Sequence, residues 1–264
     1  MSSIESLFTN VAAPQRVDHG TFGDIHTVPL SKIQRFTGAV MARNWLTVPH
    51  VTHFFEADVT DLEKWRTEEA AQGRRAPSVL SFIVRAAVSA LQRYPHFNAS
   101  LSEDGQELIL KRYYHVGIAT NTPQGLLVPV IRDCDKKDLA SITAEISAVA
   151  EQARSKGLPL SKMAGGSFTV SSLGALGGTG FTPIINAPEV AILGVSQTRW
   201  LAQPEESGTG VAWRRRLPLA LSYDHRVING VDAGQFAAHL SEQLSQSIPV
   251  LSEQPGRLGE REAV

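Results

Sequence analysis

Stretches of strand character and stretches of helical periodicity alternate along this chain, and that alternation constrains the fold more than any other feature. Strand pattern is read at Val51–Val59 after Pro49, at Leu108–Leu110, Tyr113–Thr120 and Leu126–Ile131, and at Phe168–Val170 and Val190–Val195. It returns at Val211–Trp213 and Leu217–Tyr223. Between these runs Ser31 is placed to cap a helix whose apolar positions are Ile33, Phe36, Val40 and Met41. Thr60 and Asp61 open a charged helix around Leu62 and Trp65, and Ser78 begins a helix, Val79–Leu91, so apolar that it must be buried on most sides. Asp138–Ser155 carries Leu139, Ile142, Ile146 and Val149 on one stripe, and Val231–Leu244 closes the pattern with Phe236, Leu240 and Leu244. The spacing is too irregular for a repeated βα barrel. The glycines from Gly174 to Gly180 lack the Lys-Ser/Thr of a nucleotide cradle and read as a loop of close backbone approach. The expectation is an α/β domain: a mixed β-sheet flanked by helices.

Composition narrows the function classes. With 264 residues, 42% hydrophobic and 19% charged, the chain can bury a sizeable core. A formal charge of −1 leaves no basic excess for neutralising phosphates, so nucleic-acid binding is not expected. No apolar run reaches the roughly 18 residues of a membrane span, and the first twenty residues resemble no targeting peptide. The single cysteine, Cys134, excludes an internal disulfide framework and a cysteine-rich zinc module; it fits a reducing compartment, and a cytoplasmic location is expected. His50 and His53 have no Cys or carboxylate cluster beside them, so they read as structural residues and no metal is expected. Arg214–Arg216 after Trp213 reads as a solvated hairpin.

The most informative stretch runs from Leu219 to Gly230, where a strand leaves the core and ends in Asp224-His225-Arg226-Val227-Ile228-Asn229-Gly230. Histidine titrates nearest neutrality, which makes His225 a candidate proton carrier, although a lone histidine at a strand end ordinarily does no more than satisfy a hydrogen bond. Gly230 would allow a tight turn into the last helix. This stretch closely resembles the C-terminal signature of the dihydrolipoamide acyltransferases, the E2 components of 2-oxo acid dehydrogenase complexes, related in fold to chloramphenicol acetyltransferase. Five further segments are similar in the same order: Asn44–Thr52, Pro95–Ser100, Gly125–Ile131, Phe168–Gly174 and Asn186–Gly194. The resemblance covers residues 22–251.

The resemblance implies a chloramphenicol acetyltransferase-like, trimer-forming fold and transfer of an acyl group, acetyl by likeness to pyruvate-type members, between dihydrolipoamide and coenzyme A. His225 would be the general base that makes the attacking thiolate, and Ser171 would donate to the oxyanion of the tetrahedral intermediate. Asn229 stands where most members carry Asp; it would brace the loop, since a neutral amide keeps an acceptor and adds a donor. Leu193 and Ser196 lie in a stretch that flanks the coenzyme A passage in relatives. Residues 1–21 would be an N-terminal extension, 22–251 the catalytic domain and 252–264 a polar tail whose charge suggests assembly stopping at the trimer. Coenzyme A would be a substrate, and the lipoyl group would be supplied in trans by a lipoyl-bearing protein. Two other readings stay open: a freestanding coenzyme A-dependent acyltransferase with a non-lipoyl acceptor, and a non-catalytic scaffold derived from such a core.

Overall fold

The computed structural model describes residues 17–74, 76–123, 125–205 and 210–246. The expected tail 252–264, and most of the expected extension 1–21, lie outside them. Five α-helices are described: α1 (Lys32–Thr47), α2 (Thr60–Ala71), α3 (Val79–Arg93), α4 (Leu139–Lys156) and α5 (Gly230–Gln246). The strands are β1 (His50–Asp58), β2 (Ala99–Leu101), β3 (Leu108–Leu110), β4 (Val116–Thr122), β5 (Gly125–Leu127), β6 (Val130–Ile131), β7 (Phe168–Ser172), β8 (Ala191–Val195), β9 (Arg199–Pro204) and β10 (Val211–Asp224). The main sheet runs β1-β10-β8-β7-β4-β5, with β6 on β4 and β9 on β10, while β2 and β3 form a separate pair. The neighbours β4–β7 and β7–β8 are parallel and the other pairs antiparallel, so the sheet is mixed, as the interleaved pattern requires.

Caps start the helices where short polar side chains precede apolar runs. Ser31 and Gln34 form a reciprocal capping box on α1, Ser78 accepts from the Ser81 amide on α3, and Asp138 accepts from Ser141 on α4. Gly157, at φ 73°, ends α4. Ser81 to Leu91 of α3 are all buried. Hydroxyls satisfy its polar positions: Ser81 bonds Thr143 of α4 at 2.7 Å, and Ser89 bonds His239 of α5 at 3.0 Å. On this helical side the sheet presents Phe168, Val170, Leu193, Val195, Leu219 and Leu221 to the core. Strand alternation puts Thr169, Ser171, Gly194, Ala220 and Ser222 on the opposite face.

Three local expectations change. Leu126–Ile131 is not one strand: β5 and β6 are separated at Val128-Pro129, because proline has no N–H to give the ladder, although its carbonyl accepts from Ile118 at 2.8 Å. Val211–Trp213 and Leu217–Tyr223 are one strand, β10, and it pairs with the unanticipated β9. The intervening arginines stay in the strand because neighbours answer their charge: Arg214 lies 3.9 Å from Asp58, Arg215 lies 3.9 Å from Glu63, and the Arg215 guanidinium sits 5.2 Å from the centre of the Trp200 ring. Gly230 makes no left-handed turn and is simply the first residue of α5.

Candidate active site

The Asp224–Gly230 segment is a turn braced from within. The Asp224 carboxylate, almost wholly buried, takes the Arg226 guanidinium in a fork, with Nε at 3.0 Å from Oδ1 and Nη2 at 2.6 Å from Oδ2. It also accepts the Arg226 amide, while the Asp224 carbonyl accepts the amides of Val227 and Ile228. That pairing raises the Arg226 pKa further above its ordinary value. Backbone bonds hold both flanks of the strand end: the Asp224 N–H donates to Val190 O at 2.9 Å and the His225 N–H to Pro49 O at 3.0 Å. The His225 side chain is exposed beyond this frame, with the buried Tyr223 ring 6.0 Å away. Asn229 Oδ1 accepts from the amides of Val231 and Asp232, both at 2.9 Å, and so caps α5. Aspartate and asparagine cap about equally well.

Ser171 lies on β7, between Ala119 of β4 and Gly194 of β8. It is half-buried, and no hydrogen bond among the described residues occupies its hydroxyl. The neighbouring Ser172 opens on a cleft of about 330 Å³, also lined by Gly174, Ser196, Gln197 and Arg215. Ser196 thus stands beside Ser172 on this cleft, while strand alternation turns the Ser171 side chain to the other face of the sheet. Strand alternation turns the Leu193 side chain to the helical face, where it is fully buried in the core.

The registers decide whether Ser171 and His225 meet within one chain. Tyr223 of β10 faces Ala191 of β8, and Ser171 of β7 faces Gly194, opposite Ala220. His225 therefore leaves the sheet at the edge where β7 and β8 begin, while Ser171 stands near the edge where they end. Five residues along the strand and two strand spacings across separate them by roughly 15–20 Å. One copy of the chain does not bring the two groups together.

His50 is anchored at both ring nitrogens. A residue the sequence reading passed over is Glu189, buried with its Oε2 2.7 Å from the Thr169 hydroxyl. Burial pushes its carboxyl up to about 7, against the lowering effect of Thr169, Lys111 and Asn186. A charged residue abutting the apolar Val190–Val195 run was the available signal. The thiol of the buried Cys134 is pushed up to about 12 by desolvation, too high for a nucleophile at neutral pH. Among the described residues no group of three or more His, Cys, Asp or Glu side chains is gathered to hold a metal ion.

The chain was compared with known proteins. The family model for the 2-oxoacid dehydrogenases acyltransferase catalytic domain matches residues 22–251. The dihydrolipoyllysine-residue acetyltransferase component of the pyruvate dehydrogenase complex of Pseudomonas aeruginosa is 47% identical over 232 residues, 87% of this chain and 42% of that protein. Its Haemophilus influenzae counterpart is 46% identical over 87% of this chain and 41% of its own length. The chain thus spans about two-fifths of the length of these relatives. Among solved structures, the dihydrolipoamide acetyltransferase of Azotobacter vinelandii superposes with a TM-score of 0.85 at 45% identity, covering 89% of this chain and 98% of that one. That study concerns the roles of a serine, a histidine and an asparagine in catalysis, the last two spaced four apart like His225 and Asn229. Chloramphenicol acetyltransferase, 15% identical with a TM-score of 0.55, shares the fold. With a family model spanning most of its length, this chain belongs to the catalytic-domain family of the 2-oxoacid dehydrogenase acyltransferases.

Proposed function

We propose that this chain transfers an acyl group, acetyl by its likeness to the pyruvate-complex relatives, between dihydrolipoamide and coenzyme A. The observation that carries this is the His225 imidazole, exposed on a strand end whose backbone is held from both sides. A thiol is mostly protonated at neutral pH, and a nearby imidazole supplies the base it lacks. His225 takes the S–H proton as the sulfur adds to the thioester carbonyl. Ser171 donates to the oxygen that becomes negative. When the tetrahedral intermediate collapses, the carbon–sulfur bond to the departing thiolate breaks and the imidazolium returns the proton to it, so no acyl group is ever bonded to the protein. Asn229, by capping α5, sets the turn that carries His225.

Because His225 and Ser171 sit at opposite edges of the sheet, the working site takes the base from one protomer and the hydroxyl from another. We infer a homotrimer, with the lipoyl group arriving on a separate lipoyl-bearing unit. Exposed apolar side chains on the 19–30 segment and α1, among them Phe22, Ile25, Val28, Leu30 and Phe36, suit burial against further copies. The test is formation of free coenzyme A from acetyl-CoA, resolved chromatographically, in the presence of dihydrolipoamide. Wild type turns over, His225→Ala loses roughly 10²–10⁴ in kcat, and Ser171→Ala loses about 10²–10³. No turnover by the wild type on lipoyl acceptors would reject the reading.

A further inference from the structure

The strand end carrying His225 is gripped by two segments distant in sequence. Residues 48–50 lie on one flank, where Pro49 O accepts the His225 N–H at 3.0 Å; residues 185–190 lie on the other, where Val190 O accepts the Asp224 N–H at 2.9 Å. One side chain joins these two flanks. His50 opens β1 directly opposite Asp224. Its Nε2 accepts the Ile185 N–H at 2.9 Å, and its Nδ1 lies 2.7 Å from Val48 O. An Nε2 that accepts must carry a lone pair, so the ring proton sits on Nδ1 and is donated to Val48 O. The imidazole is therefore uncharged and of a single tautomer. Asn44 completes the hold: fully buried on α1, it donates from Nδ2 to Ile185 O at 3.0 Å, so Ile185 is fixed at both its N–H and its C=O. The indole of Trp45 lies over the ring, 5.4 Å between centres.

We propose that His50 is a positioning residue for His225: its neutral imidazole cross-ties the two segments that bracket the strand end, and so fixes where the base projects. This rests on His225 being the base. His50 touches neither substrate nor reacting atoms, so its loss should appear in kcat and leave KM alone.

The experiment compares two substitutions that each cut one tie. His50→Asn retains a donor near the Nδ1 position and loses the acceptor for Ile185; His50→Gln retains an acceptor near the Nε2 position and loses the tie to Val48. Each is expected to lower kcat about tenfold or more, since small misplacements of a catalytic group are costly, with KM for both thiol substrates within about twofold. The decisive reading is a cycle with His225→Ala. If His50 acts through the base, adding His50→Gln to His225→Ala lowers the residual turnover no further. Multiplicative losses would overturn the proposal, as would unchanged kcat in both His50 variants. Should neither variant fold, the imidazole ¹⁵N spectrum of histidine-labelled wild type still decides: every assignment that leaves His50 without an Nδ1–H tautomer refutes the cross-tie. If His225→Ala itself keeps full turnover, the reading of the site falls, which is a result distinct from failure of the positioning role.

Discussion

At the scale of single residues, Glu189 couples stability to pH outside the proposed chemistry. Desolvation raises its carboxyl from 4.5 to about 7, and the Lys111 ammonium that opposes the shift is itself lowered by burial, its Nζ having no hydrogen-bond partner. A folded state that holds a proton more tightly than the unfolded chain gains from acid. Its contribution is whole below the unfolded value and is lost as pH rises through the window from 4.5 to about 7. Glu189→Gln keeps an acceptor for Thr169 and removes the ionisation. Against wild type it should therefore gain stability between pH 5 and pH 8, by roughly 3 kcal/mol across the window. Denaturant midpoints at the two pH values check this, and parallel pH dependences in the two proteins would refute it. Asn229 shows the other use of a polar side chain. A cap needs an oxygen acceptor and no charge, which is the physical reason an amide serves at this position.

At the scale of elements, α5 converts the His225 turn into part of the core. Phe236, fully buried, stacks on Phe97 with ring centres 4.3 Å apart and lies 6.1 Å from Phe168 of β7. Truncation to alanine removes contacts to two other elements at once, and Phe236→Ala should cost about 3–5 kcal/mol. A loss under 1 kcal/mol in chemical denaturation would show that the helix is not anchored through this ring. Helix positions were legible in the chain because caps and stripes are local signals: Ser31, Ser78 and Asp138 begin their helices where the pattern places them. Sheet edges were less legible. β9 alternates between exposed and half-exposed residues, and β2 is three residues long, so neither carries an apolar pattern. β10 looked interrupted because its arginines are neutralised by residues from β1 and α2, partners that sequence spacing does not reveal. For the same reason the motif pointed to His225 while the strand alternation that withdraws Leu193 into the core needed the register.

At the scale of the whole molecule, the sheet that makes the fold rigid also keeps the two proposed catalytic groups apart. Ser171 and His225 belong to strands that run in opposite directions, and neither can cross the sheet without breaking β8 away from its neighbours. Function at such a site requires closed association, each interface pairing the His225 edge of one protomer with the Ser171 edge of the next. This makes a sharp prediction for mixtures of inactive chains. His225→Ala supplies intact hydroxyls and Ser171→Ala supplies intact bases. When equal amounts are co-expressed, random assembly around a ring gives intact pairs at about a quarter of the sites. Turnover of the unfractionated co-expressed pool should therefore recover to near a quarter of wild type, while each variant alone stays at its residual rate. A site built within one chain recovers nothing on mixing, because every copy then carries its own defect.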